Sequence, residues 1–202
     1  MTYADLERQA QARALTILGG FHEDGTVLIL GPDPQTFWPA LTAAPDWNAP
    51  DPVDAWSTRV IGAWARELGA EARFPFGDPP QPFVTWMLRT GRCHVSPAHL
   101  LVHDTHGLMV SARGALLLPG RIALPAPRPS PCDGCAAPCL SACPVGAIDP
   151  QGYDLDACHA HLSGPNACMA QGCAIRRACP VSPPRPAAQS AHHMSFFHRE
   201  LP

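Results

Sequence analysis

Eight of the nine cysteines in this chain fall between Cys132 and Cys179, and the ninth, Cys93, stands alone before them. So many thiols in so short a stretch cannot be explained as core residues. They must close on something that thiols bind. The opening residues, Met1 to Arg8, show no basic flank followed by an apolar run, so export is not expected and the expected location is cytoplasmic. In a reducing compartment such a pattern points to metal ligation or redox chemistry rather than to disulfides.

The spacing narrows this further. The first group reads Cys132-Asp-Gly-Cys135-Ala-Ala-Pro-Cys139-Leu-Ser-Ala-Cys143-Pro144. The bacterial two-cluster run is C-x2-C-x2-C-x3-C-P, whose fourth cysteine serves the other cluster. Here the second gap holds three residues rather than two. The second group, Cys158, Cys168, Cys173 and Cys179-Pro180, is more widely spaced but ends on the same Cys-Pro pair. The crossing rule then predicts two [4Fe–4S] clusters. Cys132, Cys135, Cys139 and Cys179 would hold one, and Cys143, Cys158, Cys168 and Cys173 the other. The competing chemistry is a pair of four-cysteine zinc sites. Zinc favours paired C-x2–4-C knuckles, which only the first group supplies. Cys93 reads as an ordinary thiol.

The rest of the 202 residues suits one or two small domains, with 46% hydrophobic residues for a core. A net charge of −3 gives no reason to expect nucleic acid, and no window of about 18 apolar residues offers a membrane span. All 14 basic residues are Arg, which with the abundant Ala and Pro reads as compositional bias. The expected organisation is a small α+β domain over 1–124, a linker and two-cluster ferredoxin-like domain over 125–182, and a Pro/His-rich tail over 183–202. Within the first, a short helix is expected over 4–15 and a buried strand over Thr26–Gly31. Asp51 should cap a helix that Pro52 opens and that buries Val53, Trp56, Val60, Ile61, Trp64 and Leu68. A helix is expected over Phe83–Leu88, and strands over Leu100–His103 and Gly107–Leu118 with a turn between. Trp56 and Trp64 read as core, as do Trp38 and Trp86, although the latter two could line a flat cofactor.

Two resemblances emerge from these residues. The cysteine-rich part, with Asp154-Leu-Asp-Ala-Cys158-His-Ala-His-Leu162 around its isolated cysteine, resembles the C-terminal part of epoxyqueuosine reductases and reductive dehalogenases. Its late cysteines are spaced more widely than theirs. Over residues 20–122, three pieces occur in order. They are Phe21-His22 leading into Thr26–Leu30, Asp51-Pro-Val-Asp54, and Ser111-Ala-Arg-Gly-Ala-Leu-Leu-Leu-Pro-Gly120. Together they resemble the cobalamin-trafficking proteins of the cobalamin C type. That resemblance implies a reduced nitroreductase-like fold that binds cobalamin and removes its upper ligand. His22 and Arg113 become candidate cofactor-binding residues, Arg113 by its place in the Arg-Gly match. From the residues alone His22 reads as a solvated turn histidine ahead of a cofactor contact, and Arg113 equally as an outward-facing strand residue.

These expectations combine into a redox protein that takes electrons from an external low-potential donor and passes them through its clusters to a bound corrinoid. The alternative is a plain ferredoxin whose N-terminal domain docks a partner enzyme. An epoxyqueuosine-type reductase would need to recognise tRNA, against which the mild negative charge argues. No glycine-rich nucleotide loop is present. The tail, Gln189-Ser-Ala-His-His-Met-Ser-Phe-Phe-His198, reads as disordered or docking, with its histidines as possible metal ligands.

Overall fold

The computed structural model describes residues 1–149 and 151–200, the last two positions of the tail lying outside the described residues. In chain order the first elements are α1 (Tyr3–Gln11), β1 (Leu15–His22), β2 (Thr26–Pro32), α2 (Phe37–Thr42), α3 (Pro52–Leu68), β3 (Glu71–Arg73) and α4 (Phe83–Arg89). Then come β4 (Cys93–Val95), β5 (Leu101–His103) and β6 (Gly114–Leu118). The cysteine-rich part adds β7 (Ile148–Asp149), β8 (Gly152–Tyr153), α5 (Leu155–Leu162), α6 (Ala167–Gln171), α7 (Ala174–Ala178) and α8 (Ala187–Glu200). The chain is thus mixed α and β, as expected.

Two compact units divide the chain, and the division is not a single cut. One comprises Met1–Cys93 with Ser111–Arg128; the other comprises His94–Val110 with Pro129–Pro202. The sequence places a boundary near residue 124. In the structure a segment from the middle of the chain belongs with the cysteines, and residues 111–128 return to the first unit.

The first unit is built on a four-stranded antiparallel sheet in the order β1-β2-β6-β3. Every residue of β2 is buried, which is why it reads as a continuous apolar run rather than an alternating one. Leu28 and Leu30 join Leu116 and Leu118 in a core closed by Leu6 and Ala10 of α1 and by Trp56, Ile61 and Trp64 of α3. Phe21 lies beside Trp86 of α4, with ring centroids 6.5 Å apart. Trp64 is fully buried and donates its indole N–H to Gln9 Oε1 at 2.9 Å, so its one polar atom is satisfied.

Several elements depart from the sequence expectation. The first helix ends at Gln11, not at residue 15, because Ala14 turns at φ 56° and Leu15 pairs with Pro32 as the start of β1. Asp51 makes no side-chain capping bond. The start of α3 rests instead on Pro52, whose fixed φ suits the first helical position, and on Asp54 near the positive end of the dipole. The strand expected over Gly107–Leu118 begins only at Gly114. Leu108, Met109 and Val110 are buried without a ladder, so their apolar character reflects packing in the second unit. The tail is not disordered: residues 187–200 form α8, which packs on α6.

Candidate metal centres

The eight cysteines of the second unit are sorted four and four around two cavities. Cys132, Cys135, Cys139 and Cys179 line one. Cys143, Cys158, Cys168 and Cys173 line the other. The division is the same as the one drawn from the crossing rule.

Local structure explains how the first set is presented. Pro131 and Ser130 lead in, with Cys132 N donating to Ser130 Oγ at 3.2 Å, and a tight turn closes as Cys135 N donates to Cys132 O at 3.1 Å. Ala137, held at φ 51°, aims its N–H at Cys135 Sγ at 3.4 Å. Pro138 opens a 3₁₀ turn over Pro138–Ser141 that buries Cys139. Cys179 arrives from the far side at the end of α7, in the extended backbone that a following proline requires. The hairpin segment 94–110 backs it: a Cβ at Gly107 would lie 2.9 Å from Cys179 Sγ and 2.5 Å from Ser182 N. Only glycine permits that approach.

The second set draws on more elements. Cys143 precedes Pro144 and accepts the Ala147 N–H at 3.3 Å. The β7–β8 hairpin brings Tyr153 back so that its hydroxyl donates to Cys158 Sγ at 3.3 Å. Asp154 caps α5 through Ala157 N at 2.9 Å, and Asn166 caps α6 through Met169 N at 2.8 Å. These caps fix Cys158 and Cys168 on their helices. Met194 of α8 and His161 of α5 complete the wall. Gly172 ends α6 at φ 91°, and a Cβ there would meet Ser190 Cβ at 2.9 Å, so α8 sits directly on the turn before Cys173.

Burial and mutual repulsion disfavour bare thiolates in both sets. Burial pushes the Cys132, Cys139 and Cys158 thiols above their ordinary range, and neighbouring sulfurs add to that shift. Four thiolates around a largely apolar cavity repel one another unless metal charge offsets them. Among the described residues, no three His, Cys, Asp or Glu side chains converge as ligands of one metal ion. A single zinc would draw four sulfurs to within about 3.8 Å of each other, from Zn–S bonds of about 2.3 Å. A wider, many-atom group such as an iron–sulfur cube suits thiols set around a cavity. Backbone N–H and phenol donors to sulfur are the contacts that tune such a group.

The two candidate corrinoid contacts are not brought together. His22 is exposed at the end of β1, its Nδ1 lying 3.3 Å from Thr26 Oγ1 in the hairpin turn. Arg113 lies at the other end of β2, where its N–H donates to Leu30 O at 2.7 Å. About four residues of strand separate these ends, or roughly 13 Å. The half-buried guanidinium of Arg113 reaches Asp54 at 3.5 Å, Ala112 O at 2.7 Å and Ser111 Oγ at 3.4 Å. Trp38 meets Trp47 edge-on at 5.4 Å, beside the core. Cys93 is buried. In the tail, His198 Nδ1 lies 3.2 Å from His159 Nδ1, and burial lowers the His192 pKa.

Sequence reasoning missed Tyr153, His161, Met194 and the hairpin segment around Gly107. The first three lie close to cysteines or in the flagged tail, but nothing in the spacing marks them as walls of one cavity. Comparison with protein-family models, with curated proteins and with solved structures found no match in any of the three. No helix among the described residues is long and apolar enough to cross a membrane.

Proposed function

We propose that the chain is an iron–sulfur electron-transfer protein carrying two [4Fe–4S] clusters. The observation that carries this is the sorting of eight cysteines into two four-thiol sets, each around its own cavity. The clusters, when bound, supply one-electron chemistry at low potential. The chain supplies the thiolates, the N–H donors to sulfur, and the apolar walls that exclude water. Electrons enter from an external low-potential donor.

The proposed acceptor is a corrinoid held by the first unit in a nitroreductase-like fold, on the strength of the sequence resemblance. Low-potential clusters match the demand of reducing cobalt to its lowest state. The alternative acceptor is a partner enzyme docked by that unit. The engagement of Arg113 with Asp54, and of His22 within its own turn, favours this second reading.

Anaerobic reconstitution followed by iron and sulfide analysis and electron paramagnetic resonance tests the cluster reading. Two cubane signals support it, and a stoichiometric zinc content without bound iron overturns it. Titration of the loaded protein with cob(II)alamin then separates the acceptors. Conversion of the cobalt signal to a base-off form at saturating stoichiometry supports a bound corrinoid. Superimposable free and mixed spectra leave the partner enzyme as acceptor.

A further inference from the structure

Ser96 lies on the wall of the first cavity, is only 4% exposed, and has a buried hydroxyl oxygen with no hydrogen-bond partner. Among the described residues, no other such atom stands on the wall of either four-thiol cavity. The backbone of Ser96 is fully used: its N–H donates to Leu100 O at 2.9 Å, and its carbonyl accepts the His99 N–H at 3.0 Å. These bonds close the turn between β4 and β5, which brings Ser96, Pro97 and Val102 to the cavity.

A serine hydroxyl in such a wall costs stability unless something accepts its proton. The four sulfurs of the set share the wall with Ser96, but none lies within hydrogen-bond reach of its oxygen. A buried water needs two or more polar partners, and the side chains of Pro97, Val102, Leu108, Pro138 and Val181 offer it none. The missing acceptor is therefore brought by whatever fills the cavity.

We propose that the Ser96 hydroxyl donates a hydrogen bond to an inorganic sulfide of the cluster held by Cys132, Cys135, Cys139 and Cys179. This rests on the iron–sulfur reading above and sharpens it, because the guest of the first cavity must carry acceptor atoms of its own. A zinc ion held by four cysteines carries none, since thiolates fill its coordination sphere. A cube presents its sulfides. One electron from the external donor makes the cluster one unit more negative, with no bond formed or broken. A hydroxyl donating to a cluster sulfur favours that more negative state. The segment 94–110 thus gives the first set a contact that is not a cysteine, which is a physical reason for it to belong with the cysteine-rich unit.

The test is a redox titration of anaerobically loaded protein followed by electron paramagnetic resonance, with Cys135→Ser and Cys158→Ser assigning the two signals. Ser96→Ala removes only the hydroxyl. It is expected to lower the first set's reduced-to-oxidised ratio at fixed potential by about tenfold, or about 59 mV for a one-electron couple. The second set's potential should stay where it was. Electron–nuclear double resonance of the reduced first cluster supplies a readout that packing alone does not move. One solvent-exchangeable proton coupling present in wild type should be absent from Ser96→Ala, while that of the Ala137 N–H to Cys135 Sγ remains. Ser96→Thr, which keeps the hydroxyl, should keep both the potential and the coupling. Cluster uptake at the first set by Ser96→Thr but not by Ser96→Ala also supports the bond. An unchanged first potential or coupling in Ser96→Ala, an equal shift at both sets, or loss of the first signal in both variants overturns it while the cluster reading stands. Wild type that takes up zinc and no iron overturns both.

Discussion

The Arg113 guanidinium meets the Asp54 carboxylate at 3.5 Å, joining the strand that opens at Gly114 to the first turn of α3. Burial raises the Asp54 pKa above its ordinary value, and Arg113 pulls it part of the way back. Replacing Arg113 with Met should therefore push the Asp54 pKa higher still. The folded state then bears a growing cost as pH rises from the unfolded carboxylate pKa through the folded one, because an ionised Asp54 has lost its partner. The expected loss of stability is about 1 kcal/mol at neutral pH, and smaller below the unfolded pKa, where Asp54 is protonated in both states. Denaturant unfolding of both proteins at pH 3 and pH 7 checks the sign.

Removing a sulfur from one set should leave the other loaded. Cys135→Ser and Cys158→Ser should each reduce bound iron by about half, whereas Cys93→Ser, at a buried thiol outside both sets, should leave it unchanged. Iron and sulfide analysis after anaerobic reconstitution measures all three. Equal iron loss from Cys93→Ser would contradict the assignment of that thiol to the core.

Met194 closes the second cavity from α8, with only 4% of its surface exposed. Met194→Ala should open that wall and cost about 2–3 kcal/mol. In protein reconstituted with iron and sulfide, metal bound at the second set should then be lost faster to a chelator, with the first set's rate unchanged. Timed chelation followed by electron paramagnetic resonance distinguishes the two sets.

Gly172 is the point where α8 bears on the turn between α6 and Cys173. Gly172→Ala introduces a Cβ 2.9 Å from Ser190 Cβ at a backbone φ of 91°. We expect a loss of about 1–3 kcal/mol, expressed chiefly as faster hydrogen exchange in 187–200. Uniform exchange changes across the second unit, with none concentrated in α8, would contradict the contact.

Core periodicity carried most of the legible fold. The apolar spacing from Val53 to Leu68 placed α3, and the run Thr26 to Gly31 placed β2, because both elements are buried by their own side chains. Leu15–His22 escaped notice. Two glycines interrupt it, and its strand character comes from pairing with β2, a partner that sequence distance conceals. Leu108–Val110 misled in the opposite sense, since apolar residues buried by another unit look like a strand. Thiol spacing is local, so the four-and-four grouping of the cysteines around two cavities could be read from it. Tyr153, His161 and Met194 could not, since their roles depend on turns and caps that bring separate helices to one wall.

The assignment of 94–110 to the cysteine-rich unit orders events during synthesis. The first unit has all its strands once Leu118 is made, and residues 111–128 can pack into it at once. The segment holding Gly107 is by then already out, but the backbone it abuts, Ser182, is still some 60 residues from being joined. Chain elongation runs at about 5–20 residues per second, so that stretch waits for several seconds with Leu108, Met109 and Val110 lacking their final cover. Cys179, the last thiol of the first set, appears at the same late moment. Closure of that four-thiol set is thereby placed after every residue up to Cys179 has been made, and the apolar stretch before it stays uncovered until then.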